Sequence, residues 1–220
     1  MKIFVIIPAY NEAERIGLVL EDLKPFPYSV VVVDDGSSDN TAEIVSRYPA
    51  VLLRHQINRD QGAALETGDQ YALRQGADII VHFDADGQFL AKEIEEVLAP
   101  IIHENYDVVF GSRFLGKKSQ LPWFKKNIFF PLARIVNRVL LNVKFSDPQN
   151  GFRALSRSAA QLIKIEQDHK AHCSEIAAKA VAYNLKIKEV PITVIYHHFG
   201  QGLGGGLRIV RDLIMSKIIK

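Results

Sequence analysis

Cysteine is nearly absent: Cys173 is the only one in 220 residues, so no disulfide can form within the chain. That usage fits a reducing compartment. Long hydrophobic runs are missing as well. The apolar start of the chain ends at Pro8, and the longest apolar stretch elsewhere, residues 128–143, is interrupted by Arg134 and Arg138. The first is too short for a signal-peptide core, and neither reaches the roughly 20 apolar residues of a spanning helix. The expectation is a protein that meets a membrane only from its surface or through a membrane-spanning partner. An excess of one charge is lacking too. Lys and Arg number 27 against 25 Asp and Glu, a net charge of +2 that argues against nucleic acid as a partner. Neither an internal repeat nor a disordered linker interrupts the chain.

What is present is a strand–helix alternation. Short β-branched runs at 3–7, 30–34, 51–54, 79–83 and 108–110 read as buried strands. Helical patterns at 14–23, 41–47, 63–75 and 91–102 separate them. This spacing predicts an α/β fold with a mostly parallel sheet flanked by helices. Further on, 123–143 reads as a long amphipathic helix, 152–156 as a strand and 173–183 as a helix. Strands are expected at 186–190 and 192–196, on either side of Pro191. A glycine-rich hinge and a basic helix, 207–220, close the chain. One domain is expected over 1–200, with a hinge and amphipathic tail over 201–220.

In open parallel sheets, ligands bind beyond the carboxyl ends of the strands, and polar strings stand at those positions. Asp84-Ala85-Asp86 follows an apolar strand. Two carboxylates one residue apart at a strand end can converge on a hard cation such as Mg²⁺ or Mn²⁺, with Gln88 adding a neutral oxygen. Such a cation would neutralise a leaving diphosphate. The plain alternative is a polar turn. Asp34-Asp35-Gly36-Ser37-Ser38-Asp39 also follows a strand. A carboxylate here can accept from a nucleobase edge or a ribose hydroxyl. Gly36 lets the backbone approach closely, and Asp39 is placed to cap the next helix. At Pro8 to Glu12, Tyr10 offers a face for stacking a base, and Asn11 can serve as a helix cap.

Together these strings resemble family 2 glycosyltransferases of the GT-A fold. The carriers are P-A-Y-N-E, V-V-D-D-G-S-S-D, Q-G-A-A-L-E-T-G, D-A-D-G-Q, G-S-R-F and D-P-Q-N-G-F-R-A, spanning residues 8–154, with K-E-V-P-I at 188–192. Within that family the chain is similar to the polyprenyl-phosphate sugar transferases, the branch of dolichyl-phosphate mannose synthase. The resemblance implies a Rossmann-like sheet, an inverting transfer and a nucleotide-sugar donor carrying UDP or GDP. It implies that Pro8, Tyr10, Glu12 and Asp35 hold the nucleoside, with Gly62 and Ala85 lining the donor site. Asp84, Asp86 and Gln88 become the metal and diphosphate site, and Arg113 faces a donor or acceptor phosphate. Two departures stand out. Asp60 replaces a common glycine in the loop before Gly62. Lys125 and Lys126 stand where mannose synthases are arginine-rich, giving point charges instead of forks.

The acceptor can be argued from the residues themselves. Arg134 and Arg138 share a helix face, Lys125 and Lys126 lie a few turns earlier, and Phe129, Phe130, Ile135, Val136 and Val139 form an apolar face. Cations for a phosphate beside apolar surface for a chain suit a polyprenyl phosphate; a core-packing helix is the alternative. In the tail, Leu203, Leu207, Val210, Ile214 and Ile218 recur at helical spacing beside Arg208, Arg211, Lys217 and Lys220. That pattern suits an anionic membrane surface or a docking partner. A phosphate nucleophile is already ionised near neutral pH, so no strong catalytic base is required; a sugar hydroxyl would need one, with Asp147 or Glu175 as candidates. His197 and His198 read as loop histidines or as extra diphosphate contacts. Trp123 reads as stacking or packing, and no base pattern around Cys173 marks it as a nucleophile. The competing readings are transfer to a saccharide hydroxyl, nucleotidyl transfer, and a non-catalytic nucleotide-sugar-binding adaptor.

Overall fold

A computed structural model describes residues 1–116, 145–147, 149–167 and 171–195. Seven strands form one sheet: β1 (Ile3–Ala9), β2 (Ser29–Asp34), β3 (Val51–Arg54), β4 (Ile79–His82), β5 (Val108–Ser112), β6 (Arg153–Ser156) and β7 (Ile187–Pro191). Between them run α1 (Ile16–Leu23), α2 (Thr41–Val45), α3 (Asp60–Arg74), α4 (Ile94–Glu104), α5 (Arg157–Leu162) and α6 (His172–Ala182). The strand order is β3-β2-β1-β4-β6-β5-β7.

Alternation along the strands explains the layers. Val5, Ile7, Val32 and Val81 pack on one face with Ile16, Leu20 and Leu23 of α1 and Ile94 and Val97 of α4. Phe4, Ile6, Val31, Val33 and Ile80 pack on the other with Leu65 of α3, Ala159 of α5 and Ile176 of α6. Successive side chains point to opposite faces, so a sheet covered on both sides needs continuous apolar strands. The expected mostly parallel α/β sheet is therefore found.

One strand breaks the pattern. β6 lies antiparallel between β4 and β5, with His82 opposite Arg153 and Val109 opposite Ala154. β5 thus still points the same way as β4, and β7 is parallel to β5. The carboxyl ends of β1, β2, β3, β4, β5 and β7 line one edge, and the loop entering β6 joins them there.

Several boundaries differ from expectation. α3 begins at Asp60, three residues before the expected start, so Gly62 lies inside the helix. Asp60 stands at φ 68. That is the left-handed conformation glycine adopts freely, so aspartate keeps the backbone of its usual occupant at some conformational cost. The stretch expected as one helix from 91 opens as a 3₁₀ turn, Ala91–Glu93, before α4. β7 runs through Pro191, but no strand follows at 192–195. There Ile192 N bonds Ser112 O and Thr193 N turns to Glu93 Oε2, so the chain leaves the sheet edge. Tyr196, the expected helix at 123–143 and the tail lie outside the described residues.

Candidate active site

The first two loops are laced together. Asn11 N donates to Ser37 Oγ at 2.9 Å, and Asn11 Oδ1 accepts from Ser38 N at 2.9 Å. Asn11 therefore does not cap α1; its side chain ties one strand-end loop to the next, with its own φ at 54. Glu12 N donates to Thr41 Oγ1, and Asp39 accepts from both Thr41 N and Ala13 N. The N-cap of α2 is Asn40, which makes no side-chain cap bond, so Asp39 does not cap the helix, contrary to expectation; it holds Thr41 from one position earlier. Gly36 has φ 75, and a Cβ there would lie 2.8 Å from Asn58 N, so this position requires glycine. Pro8 is buried at the end of β1, and Tyr10 beside it is 48% exposed, leaving its ring face accessible.

Asp34 and Asp35 divide the work. Asp34 is structural: Oδ1 accepts from Ser37 N, and Oδ2 lies 3.0 Å from Arg54 Nε. Asp35, 2% exposed, accepts from Arg59 N at 2.9 Å and from His55 Nδ1 at 2.7 Å, both on Oδ1. His55 Nε2 lies 2.9 Å from Thr67 Oγ1 of α3. Asp35 Oδ2 is buried and has no protein partner. Sequence reasoning passed over His55. Its signal was available: like the other site residues, it is the polar residue that directly follows a strand.

Across β1 lies the carboxylate pair. Asp84 Oδ1 accepts from Gln61 Nε2 at 2.9 Å, and Asp86 Oδ1 accepts from Gln88 N at 3.0 Å. Burial and then the negative charge of Asp86 push Asp84 up to about 7, against the pull of Arg153 and His172. Gly151 leaves the space that Asp84 fills, since a Cβ there would lie 2.6 Å from Asp84 Oδ2. Glu12 is also raised, mainly by burial, with Arg15 opposing and Asp86 and Asp39 adding to the rise. Among the described residues no group of three or more His, Cys, Asp or Glu converges as a metal cage. The excess negative charge at Asp84 and Asp86 nonetheless fits a hard divalent cation that takes its remaining ligands from diphosphate and water oxygens. Gln88 engages through its backbone: N to Asp86, and O accepting from Ile195 N.

Beneath Asp84 sits a group the sequence did not reveal. Arg153 is wholly buried; its Nη2 donates to Cys173 Sγ at 3.1 Å and its Nε to Gly151 O. Burial opposes ionisation of Cys173, but His172 and Arg153 outweigh it and lower the thiol to about 5. The base pattern not recognised around Cys173 is thus supplied by its neighbour His172, whose Nε2 lies 3.4 Å from Sγ, together with Arg153, twenty positions away.

Arg113 follows β5 and forks onto Asp147. Its Nε and Nη2 donate to the two carboxylate oxygens at 2.6 Å each, and its backbone N adds a third bond at 3.1 Å. Asn150 Nδ2 also donates to Asp147. Asp147 is 1% exposed with both oxygens engaged, which removes it as a general base. Glu175 is committed elsewhere, accepting from Glu166 N and Gln167 N and pairing with Lys179. Lys126, Arg134, Arg138, His197 and His198 lie outside the described residues.

A doubly covered sheet with carboxylates and an arginine ranged along its carboxyl edge is the architecture of a GT-A glycosyltransferase. The glycosyl transferase family 2 pattern matches residues 4–163, and the chain belongs to that family. The UDP-N-acetylglucosamine–dolichyl-phosphate N-acetylglucosaminyltransferase of Methanococcus voltae is 34% identical over 99% of this chain and 97% of its own length. The undecaprenyl-phosphate mannosyltransferase of Micrococcus luteus is 30% identical over 94% and 89%. Among solved structures, glucosyl-3-phosphoglycerate synthase of Mycobacterium tuberculosis, crystallised with Mn²⁺, UDP and glucosyl-3-phosphoglycerate, aligns with a TM-score of 0.71. That alignment covers 97% of this chain and 77% of the synthase at 20% identity, and it establishes the fold.

Proposed function

We propose that this glycosyltransferase moves a sugar, with inversion, from a nucleoside diphosphate sugar to a polyprenyl phosphate at the cytoplasmic face of a membrane. The observation that carries the reading is the order along one sheet edge: a base-reading carboxylate at Asp35, the Asp84–Asp86 pair, then the oriented Arg113. The lipid-phosphate substrates in the names of the M. voltae and M. luteus relatives support the acceptor class.

In this reading Pro8, Tyr10, Glu12, Asp35, Gly62 and Ala85 shape the donor pocket. Asp35 Oδ2 receives a ring N–H of the base. A buried acceptor without a donor costs about 1–3 kcal/mol, which the bound base relieves. Because Oδ1 already takes two donors, a base with one edge N–H fits better than guanine, whose adjacent N–H groups call for both oxygens. Uridine is thereby favoured over guanosine. Asp84, Asp86 and Gln88 would hold Mg²⁺ or Mn²⁺, which supplies charge neutralisation of the departing diphosphate. Arg113, with Lys126, Arg134 and Arg138, would hold the acceptor phosphate in line with the anomeric carbon. The phosphate oxygen is itself the nucleophile. The occupied oxygens of Asp147 agree with chemistry that needs no carboxylate base.

Among the described residues no helix is long and apolar enough to cross a membrane. Residues 1–200 would form the catalytic domain and 201–220 a hinge and basic helix for an anionic membrane surface or a spanning partner. The test is incubation with Mn²⁺ or Mg²⁺, a short polyprenyl phosphate and a panel of UDP- and GDP-sugars, read by mass spectrometry. A sugar-bearing lipid phosphate, absent with Asp86→Ala, is expected. Release of nucleoside diphosphate only when saccharides are added would replace the lipid acceptor with a hydroxyl. Donor binding without turnover under any condition would leave an adaptor.

A further inference from the structure

The K-E-V-P-I string at 188–192 plays no part in the donor site, yet its glutamate is tied to the acceptor side. Glu189 sits on β7, opposite Phe110 of β5. Its carboxylate does not pair with a cation among the described residues. Instead Oε1 accepts from Ser146 N at 2.9 Å, from Ser146 Oγ at 2.8 Å and from Asp147 N at 3.2 Å, while Oε2 accepts from Ser146 N at 2.9 Å. The peptide so gripped is the one that presents Asp147 to Arg113. Ser146 Oγ also lies 2.6 Å from Ser112 Oγ, which accepts from Phe114 N. The chain on both sides of Arg113 is thus fixed to the same peptide.

We propose that Glu189 is a positioning residue for Arg113, acting through Ser146 and Asp147 to aim the guanidinium at the acceptor phosphate. The proposal rests on the reading of Arg113 as an acceptor-phosphate residue. The physical reason is rigidity. An arginine side chain has several rotatable bonds, and a bidentate carboxylate fixes its plane. A fork is only as well placed as the loop that carries it, and among the described residues before β6, 145–147 and 149–152, there is no helix or strand. Glu189 supplies, from a rigid strand, the hydrogen-bond acceptors that strand pairing would otherwise provide.

The experiment is a double-mutant cycle on the full chain, with a UDP-sugar or GDP-sugar that turns over and a short polyprenyl phosphate. Glu189→Ala is expected to raise the KM for polyprenyl phosphate about tenfold, the scale of losing charge-assisted bonds, while the donor KM stays within about twofold. Glu189→Gln, which keeps one carbonyl acceptor for Ser146 N, should fall between and guards against a variant that fails to fold. In an Arg113→Ala background, Glu189→Ala should add less than about twofold, because its route is already cut. Equal rises in both KM values, or the same loss with and without Arg113, would overturn the proposal and leave Glu189 as a structural residue. An unchanged acceptor KM in Arg113→Ala alone would instead overturn the role given to Arg113, and the positioning role with it.

Discussion

The edge over β1, β2 and β3 and the edge over β5 and β7 are built by opposite means. On the first, short loops tie to one another: Asn11 to Ser37 and Ser38, Glu12 to Thr41, Asp35 to Arg59. This lacing leaves two buried oxygens outside any hydrogen bond: Asp34 Oδ2, which faces Arg54 Nε at 3.0 Å, and Asp35 Oδ2, which has no protein partner. On the second, isolated side chains reach across the fold, Arg113 to Asp147 and Glu189 to Ser146, and the arginine is already forked onto a carboxylate. In the proposed function, the first edge presents an acceptor for a ligand to satisfy. The second presents a cation whose direction is set before any ligand arrives. A base is recognised by its hydrogen-bond pattern, whereas a phosphate is recognised by charge and aim, and the two constructions suit those tasks.

The largest effect that would sharpen this contrast lies between the two edges. Asp86→Ala should lower kcat by about 10²–10³-fold, the range for removing one preorganised charge-stabilising group, without loss of fold. A loss under about fivefold would remove the carboxylate pair from the chemistry. Next is His55→Ala, which frees Asp35 to rotate and should raise the donor KM about tenfold while sparing the acceptor KM. If both constants moved together, the two edges would not be separable.

A smaller effect concerns stability and pH. Asp84 is raised from 3.8 to about 7 in the folded protein. The folded state therefore holds a proton that the unfolded state releases earlier, and stability present below pH 4 is lost as pH rises towards 7. Without added metal, Asp84→Asn should match the wild type near pH 4 and melt at a higher temperature than the wild type at pH 8. Equal melting temperatures at both values would mean that the pair carries no excess charge. The smallest effect is expected for Asp60→Gly. Relief of the left-handed backbone should stabilise by about 0.5–1 kcal/mol against glycine's greater freedom in the unfolded chain, seen as a small rise in denaturation midpoint.

The same contrast decides what could be read from the sequence. Strands were legible because Val and Ile runs buried on both faces need no partner to be recognised. The edge proposed for the donor was legible as a row of polar loops because its residues stand in strings directly after those strands. Its miss, His55, came from weighing strings over single residues. The antiparallel β6 was legible as a strand but not in direction, since burial on both faces reads alike either way. The fork on Asp147 and the grip of Glu189 were invisible because each joins single residues whose nearness is created by the order β4-β6-β5-β7, and the Arg153–Cys173 contact because it joins β6 to α6 across twenty positions. Asp147 looked like a candidate base for that reason: its partner lies 34 positions away. Proline at 191 suggested two strands, but an edge strand can end on proline, whose missing N–H costs the ladder nothing there.

The central claim is that donor and acceptor are held by separable edges. Calorimetric titration of the Mn²⁺-supplemented protein with UDP and GDP tests it most directly, using wild type, Asp35→Ala and Arg113→Ala. The account predicts that UDP binds more tightly than GDP, that Asp35→Ala weakens UDP by about tenfold or more, and that Arg113→Ala changes it less than about twofold. Loss of UDP binding in Arg113→Ala with little change in Asp35→Ala would contradict it.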